Sequence, residues 1–429
     1  MARPMKDSGV QWIGSIPSEW TIERNKNLFR CSKEIVGTES ANIQLLSLTT
    51  RGVKKKSIDD VGGKIPESYD TYQIVSENNL IMCLFDLDCS AVFSGLSPYN
   101  GMISPAYKVL SCTSIASPSF YNYWFMYVAD GRKFNHYAKN LRFTLNYDEF
   151  ATLPAICPSV KEQQRIANFL DDKCAAIDDV VTKTQESIEE YKKLKQAMIT
   201  EAVTKGVRGK RPMKDSCIEW IGQIPENWIV KRFRYIANSF EKGIGITKDE
   251  VFVDGDTPCV RYGEIYSKYN QSFLECFSKT KKDVLPNLQY FSNGDILFTC
   301  TGELIEEIGK SVVYLGKERC LAGGDIIVVK HHQNPSFLNY ALNSSYLQTQ
   351  KSCGKTKLKV VHISAQELKD LVVFLPSLNE QKEIADYLDK KCAAIDSLIE
   401  KKQQFIEELT AYKKSLIYEY VTGKKEVPA

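Results

Sequence analysis

The sequence predicts an α+β protein made by tandem duplication, in which each of two mixed α/β domains is followed by a long helix. Three observations predict it: a frame segment that occurs twice, a helix-forming segment that also occurs twice, and short strand-like runs between them. Internal repeats are sought first, because a missed repeat misassigns the whole fold. Residues 3–20 read RPMKDSGVQWIGSIPSEW and residues 211–228 read RPMKDSCIEWIGQIPENW, identical at 12 of 18 positions and 208 residues apart. From Pro158 the chain reads PSVKEQQRIANFLDDKCAAID, and from Pro376 PSLNEQKEIADYLDKKCAAID, 218 apart. The interiors, 21–157 and 229–375, differ in length by ten residues and show little resemblance. The expected division is a first domain over 1–157, a central helix over 158–206, a linker and second domain over 207–375, and a distal helix and tail over 376–429.

Each repeated segment opens as a helix should. Ser159 and Ser377 stand three residues before Glu162 and Glu380, the spacing of a capping box. Leu170, Cys174, Ile177, Val181, Thr184, Ile188, Tyr191, Lys195 and Met198 then step by fours and threes. Leu388, Cys392, Ile395, Ile399, Lys402, Ile406, Leu409, Lys413 and Leu416 do the same, which is the seam of a coiled coil. Gly206 and Gly423 follow the last periodic positions, so each helix should run for about 45 residues, roughly 65 to 70 Å. The candidate pairing residues are Cys174, Ile177, Val181 and Ile188 on the first helix, and Cys392, Ile395, Ile399 and Ile406 on the second. Equivalent polar interruptions at Lys195 and Lys413 favour mutual pairing over two independent helices, since a half-buried lysine needs an arranged partner. Periodicity leaves the direction of pairing open. The KCAAID sequence at 173–178 and 391–396 is a small-residue patch where helices can approach closely.

The interiors alternate apolar runs with Gly, Pro and Asn breaks: IQLLSLTT, LIMCLF and AYKVL in the first, PCVRYG, GDILFTCTG and GDIIVVK in the second. These are short strands with one or two helices per domain. Basic residues cluster where turns are expected: Arg51 with Lys54, Lys55 and Lys56; Arg132, Lys133, Lys139 and Arg142; Lys279, Lys281 and Lys282; and Lys351, Lys355, Lys357 and Lys359. Loop-borne Lys and Arg beside Tyr and Asn suit phosphate positioning and base-edge reading. A merely solvated surface is the alternative for any one cluster.

Composition narrows the function. With 429 residues the chain holds two or three domains. Hydrophobic and charged fractions of 43% and 25% are ordinary for a globular protein, and no apolar run is long enough to cross a bilayer. A net charge of +3 means that any nucleic-acid surface must be local. Thirteen cysteines, odd in number and without a CxxC pair, fit a reducing compartment, and the N-terminus lacks an apolar targeting region, so the expectation is cytoplasmic. No phosphate-binding or dinucleotide-binding glycine motif is present. His136, His331, His332 and His362 lack partners at ligand spacing, and Asp59-Asp60 and Asp171-Asp172 read as turn and helix-face residues. No catalytic residue and no metal site are expected.

The WIGxIPxxW frames (12–20 and 220–228), the PSxxEQxxIAxxLDxK helix starts and the duplicated layout resemble the specificity subunit of type I restriction-modification systems. The resemblance covers nearly the whole chain. It implies two target-recognition domains that each read half of a split DNA sequence, with the long helices pairing as an antiparallel coiled coil about a pseudo-twofold axis. It further implies a chain without catalysis of its own, which docks two methyltransferase subunits using S-adenosylmethionine and can recruit an ATP-dependent restriction subunit. By the same resemblance Arg51, Lys54, Lys55, Lys56, Arg261, Tyr262, Lys268 and Tyr269 face DNA, with Arg142, Lys355, Lys357 and Lys359 near it. The first interior departs from the family pattern by placing Glu77-Asn78-Asn79-Leu80 where the second has Gly-Asp-Ile-Leu at 294–297. The rival readings are a coiled-coil adaptor between two protein-binding domains, and a DNA-modifying enzyme with an unrecognised active site.

Overall fold

The computed structural model describes residues 3–32, 34–57, 68–90, 92–138, 143–219, 221–285, 287–356 and 360–428. It is a mixed α+β chain that divides into two compact units, Met1–Gln185 with Gln404–Ala429, and Glu186–Gln403. Five helices position the site: α1 (Pro118–Asp130), α2 (Val160–Lys205), α3 (Pro335–Leu342), α4 (Ser345–Ser352) and α5 (Leu378–Val421). The long ones, α2 and α5, have 46 and 44 residues. Both end at a glycine in the left-handed region, Gly206 at φ 79° and Gly423 at φ 69°, a conformation that any Cβ would oppose. Among the described residues no helix is long and apolar enough to cross a membrane.

In the first unit the central sheet runs in the order Phe29–Cys31, Lys108–Cys112, Leu80–Met82, Ser94–Leu96, each neighbour antiparallel. The aromatic run of α1 packs beneath it: Phe120, Tyr121, Trp124 and Phe125 are fully buried, with Phe29 and Phe150 against them. Thr21–Arg24 pairs with Pro154–Cys157, so the start and end of the domain close on each other just before α2. The second unit closes in the same way, through Ile229–Arg232 and Val372–Leu375. Its five-stranded sheet runs Ala237–Lys242, Ile326–His331, Ile296–Thr299, Ser311–Tyr314, Ser272–Phe273. The run GDIIVVK fills one of the inner strands, where every residue from Ile326 to Val329 is buried, as a strand covered on both faces requires.

The capping boxes form on one side only, which corrects the sequence expectation. Glu162 and Glu380 donate their backbone N–H to Ser159 and Ser377 at 3.3 and 3.4 Å, but their carboxylates turn away. Glu162 instead accepts from the Trp20 indole at 2.9 Å and from Arg3 at 2.5 Å, while the Arg3 guanidinium lies 5.3 Å from the Trp20 ring centre. In the second unit Arg211 lies 5.3 Å from the Trp228 ring and pairs with Glu380. A charge-assisted bond to a guanidinium outweighs a neutral backbone N–H as partner for a buried carboxylate. The duplicated frame is thus a lock that fastens each domain to the first turn of its long helix.

A further duplication lies inside the interiors, against the expectation of little resemblance. Pro-Ser-Phe-x-Asn-Tyr occurs at 118–123 and 335–340, opening α1 and α3. Tyr123 donates to Asp171 at 2.8 Å and Tyr340 to Asp389 at 2.8 Å. Gln163 and Gln381, both fully buried, tie each helix start to the preceding proline carbonyl. The departure noted at Asn78 also resolves, one position from where the sequence places it. Asn78 at φ 67° takes the place of Gly294 at φ 87°, and Ser76 and Ser292 each donate from the backbone to Asn79 and Asp295 at 2.8 Å. Asparagine tolerates the left-handed conformation well enough to replace glycine there.

Within the first unit the Phe169 and Tyr420 rings meet at a tilt with centres 4.5 Å apart and Asp178 pairs with Lys413 at 2.6 Å, so partners on α5 descend as positions on α2 ascend. Cys174 is buried in the same cluster as Leu416, Ile417 and Val421. Within the second unit Lys402 lies 5.6 Å from the Tyr191 ring, Lys195 pairs with Asp396 at 2.6 Å, and Arg208 forms a two-pronged bond to Glu383, again in descending order. Ile199 and Val203 share a core with Ile384, Leu388 and Cys392. Ile188 and Ile406 are buried as the seam requires, and Ile177, Val181, Ile395 and Ile399 are half-buried. Both seam lysines therefore meet the aspartate that ends KCAAID on the other helix.

Candidate nucleic-acid interface

In the first unit the basic loop is a hairpin, Leu46–Thr49 with Gly52–Lys55. Gly52 at φ 85° makes the turn, and Thr49 braces it, accepting from the Arg51 N–H at 3.1 Å and donating to the Gly52 carbonyl at 2.8 Å. Val53 points into the core, which leaves Arg51, Lys54 and Lys55 exposed and Lys56 half-buried. Lys55 lies 4.9 Å over the Tyr99 ring. The hairpin tip forms one rim of a groove of about 1170 Å³ whose walls include Asn122, Tyr127, Asp130, Asp178, Lys413 and Lys414. Lys413 and Lys414 are neutralised by Asp178 and Asp130 at 2.6 Å each. Among the described residues Arg51, Lys54 and Lys55 have no carboxylate within ion-pair distance, so the hairpin supplies the uncompensated positive charge of this rim.

In the second unit the structure divides the expected residues. Tyr262 is exposed, and Lys268 is exposed with its ammonium 4.4 Å from the Phe277 ring. Arg261 caps the short helix Tyr262–Ser267 and is half-committed, its guanidinium 3.4 Å from Glu264. Tyr269 does not belong to the surface. It is 7% exposed, stacks on Phe273 at 4.2 Å, and its hydroxyl accepts from the Phe277 N–H at 2.7 Å; burial pushes its pKa up. Lys355 is likewise spent on structure, paired with Glu367 and donating to the His362 carbonyl at 2.6 Å. Tyr269 is the correction, and its cause is that a loop must anchor itself before it can present anything. Arg142, Lys357 and Lys359 lie outside the described residues. The sequence reading missed the Arg–Trp–Glu locks and the Tyr–Asp ties; the PSFxNY repeat was the available signal for the second.

Residues 225–408 match the family described as the type I restriction modification DNA specificity domain. The MjaVIII type I restriction enzyme specificity subunit of Methanocaldococcus jannaschii is 27% identical over 287 residues, 65% of this chain and 63% of that one. The EcoKI specificity subunit of Escherichia coli K12 is 24% identical over 252 residues, 56% of this chain and 51% of that one. The chain thus matches at most about three fifths of the length of these curated relatives. Among solved structures, a chain from work on assembly and conformational transition of the type I R-M system aligns with a TM-score of 0.69 over 96% of this chain and 99% of that chain, at 14% identity. The HsdS subunit from Thermoanaerobacter tengcongensis aligns with a TM-score of 0.50 over 96% of this chain and 98% of that chain, at 14% identity, and both likenesses concern the fold.

Proposed function

We propose that this chain is a specificity subunit of a type I restriction-modification system, the non-catalytic subunit that reads a split, asymmetric DNA target, one domain per half-site. The observation that carries this reading is the repeated seating of a domain on a helix pair. Arg–Trp–Glu lock, Tyr–Asp tie and Asp–Lys bridge recur with equivalent residues in both units. The descending contacts support an antiparallel coiled coil about a pseudo-twofold axis, in which helix length becomes a fixed number of unread base pairs. Exposed apolar side chains on the long helices, Val180, Phe405 and Tyr412 in the first unit and Leu194 and Leu398 in the second, support docking of two methyltransferase subunits. S-adenosylmethionine belongs to those partners, an ATP-dependent restriction subunit can join them, and the assembly works in the cytoplasm.

The adenine methylome of a methylation-free host tests the reading. Expression of this chain with its methyltransferase partner should create a new bipartite motif with a fixed spacer, absent when either chain is omitted. A stable complex that marks no motif favours the adaptor reading. In the same system, Lys54→Gln with Lys55→Gln should weaken binding to all duplexes alike and lower the slope of log affinity against log salt by about one to two, as lost phosphate contacts do. An unchanged slope removes the hairpin from the interface.

A further inference from the structure

Lys351 belongs to a basic cluster in the sequence, yet its side chain is buried on α4, with the residue 2% exposed. Its amine donates to a single acceptor, the Gly309 carbonyl at 2.8 Å, and no carboxylate lies within ion-pair distance among the described residues. Burial holds its pKa down to about 7. A methionine would fill the same space without this penalty, so the amine calls for a role outside packing.

Residues 303–309, Glu-Leu-Ile-Glu-Glu-Ile-Gly, lie against Lys351 through Gly309 and are called its cover. Its turn, Ile305–Glu307, has no buried residue, although Ile308 beside it is fully buried. One face of α4 clasps it. Gln348 donates to the Ile305 and Ile308 carbonyls at 3.3 and 3.1 Å, and Lys351, one turn on, to Gly309. Gly302 precedes the cover and Gly309 ends it; Gly309, at φ 67°, lies so close to Lys351 that a Cβ would stand 3.0 Å from its Cδ. Glu303, Glu306 and Glu307 are exposed, with no cation within ion-pair distance among the described residues. The cover meets the helix that carries Tyr262, and Thr301, just ahead of the cover, meets the strand next to Lys355. Tyr266 donates to the Thr301 and Glu307 carbonyls at 3.0 and 3.3 Å, and Thr301 meets His362, whose carbonyl accepts from Lys355.

We propose that residues 303–309 are an acidic cover over a latent phosphate contact, and that DNA bound to this unit displaces the cover and exposes Lys351 to the backbone. The proposal rests on the DNA-recognition reading above. Phosphates repel three unpaired carboxylates on a thin segment, and the freed amine takes a proton from solvent and becomes a cation beside the duplex. The acids then act against weak, non-specific binding, because opening is repaid only where the duplex seats closely enough to reach Lys351.

The test uses the full chain, alone and co-expressed with its methyltransferase partner. Acylation of Lys351 and deuterium exchange of the 304–310 amides are read by mass spectrometry with no addition, with heparin, and with duplex DNA. Duplex should raise both readings, and Glu303→Gln, Glu306→Gln and Glu307→Gln together should raise duplex affinity. Lys351→Met should hold or raise the melting temperature while lowering the salt slope by about one. A duplex that binds without changing acylation or exchange overturns the proposal and leaves the recognition reading intact, as does a Lys351→Met variant that melts earlier, which would mark a structural clasp. Failure to bind any duplex overturns both.

Discussion

Lys351→Met is expected to stabilise the second unit at neutral and acidic pH and to flatten its dependence on pH. Burial lowers the Lys351 pKa from 10.5 to about 7. Between those values the unfolded chain holds a proton that the folded chain does not, so stability of the natural protein rises with pH from about 7 to about 10.5. Below about 7 both states are protonated and the full penalty applies; above about 10.5 it vanishes. At 1.36 kcal/mol per unit the ceiling is near 5 kcal/mol. The lost bond to Gly309 subtracts about 1 kcal/mol, and the cost of opening the cover caps the remainder, so a gain of about 2 to 4 kcal/mol is expected at pH 6. Denaturant midpoints at pH 6 and pH 10 check it: the two proteins should differ at the lower pH and converge at the higher. Equal midpoints at pH 6 would show the amine to be solvated in the folded chain.

The second large effect lies in the locks. Trp20 and Trp228 are both fully buried, and truncation of either to Ala should cost about 3 to 5 kcal/mol through lost burial and the cavity left behind. Phenylalanine separates packing from polar chemistry. At Trp20 the indole donates to Glu162 at 2.9 Å, whereas the Trp228 indole N–H and Glu380 Oε2 both lack a hydrogen-bond partner among the described residues, Oε2 having only the Arg208 guanidinium 4.0 Å away. Trp20→Phe therefore removes a charge-assisted bond to a half-buried carboxylate that keeps its Arg3 partner, at a further cost of about 1 to 2 kcal/mol, and Trp228→Phe does not. Unfolding followed by limited proteolysis, which reports on each unit separately, should show the greater loss at Trp20. Equal losses would mean that the two locks share one geometry and that the orphaned pair in the second unit closes in solution.

Much of this was readable beforehand where the chemistry is local. A glycine past the last seam position ends a helix whatever surrounds it, and Gly206 and Gly423 did so. Spacing by fours and threes marks a buried stripe because helix geometry leaves no other arrangement, and burial follows it at Cys174, Ile188, Cys392 and Ile406. Side chains with two suitors were not readable. Glu162 could serve its own helix start or a distant guanidinium, and only the approach of Arg3 and Trp20 settled it. Tyr269 and Lys351 carry the composition of a nucleic-acid surface, yet one is core and the other lies beneath a cover.

By itself the sequence determined that this protein is a duplication, where its two long helices begin and end, which stripe of each is buried, and which family it resembles, since repeats, caps and periodicity are written in neighbouring residues. The tertiary structure alone decided what the repeated residues meet: that KCAAID ends in an aspartate because a lysine of the other helix needs it, and which cations of the basic clusters remain free. Those outcomes depend on residues far apart in the chain competing for the same few polar partners, and only folding brings the competitors together.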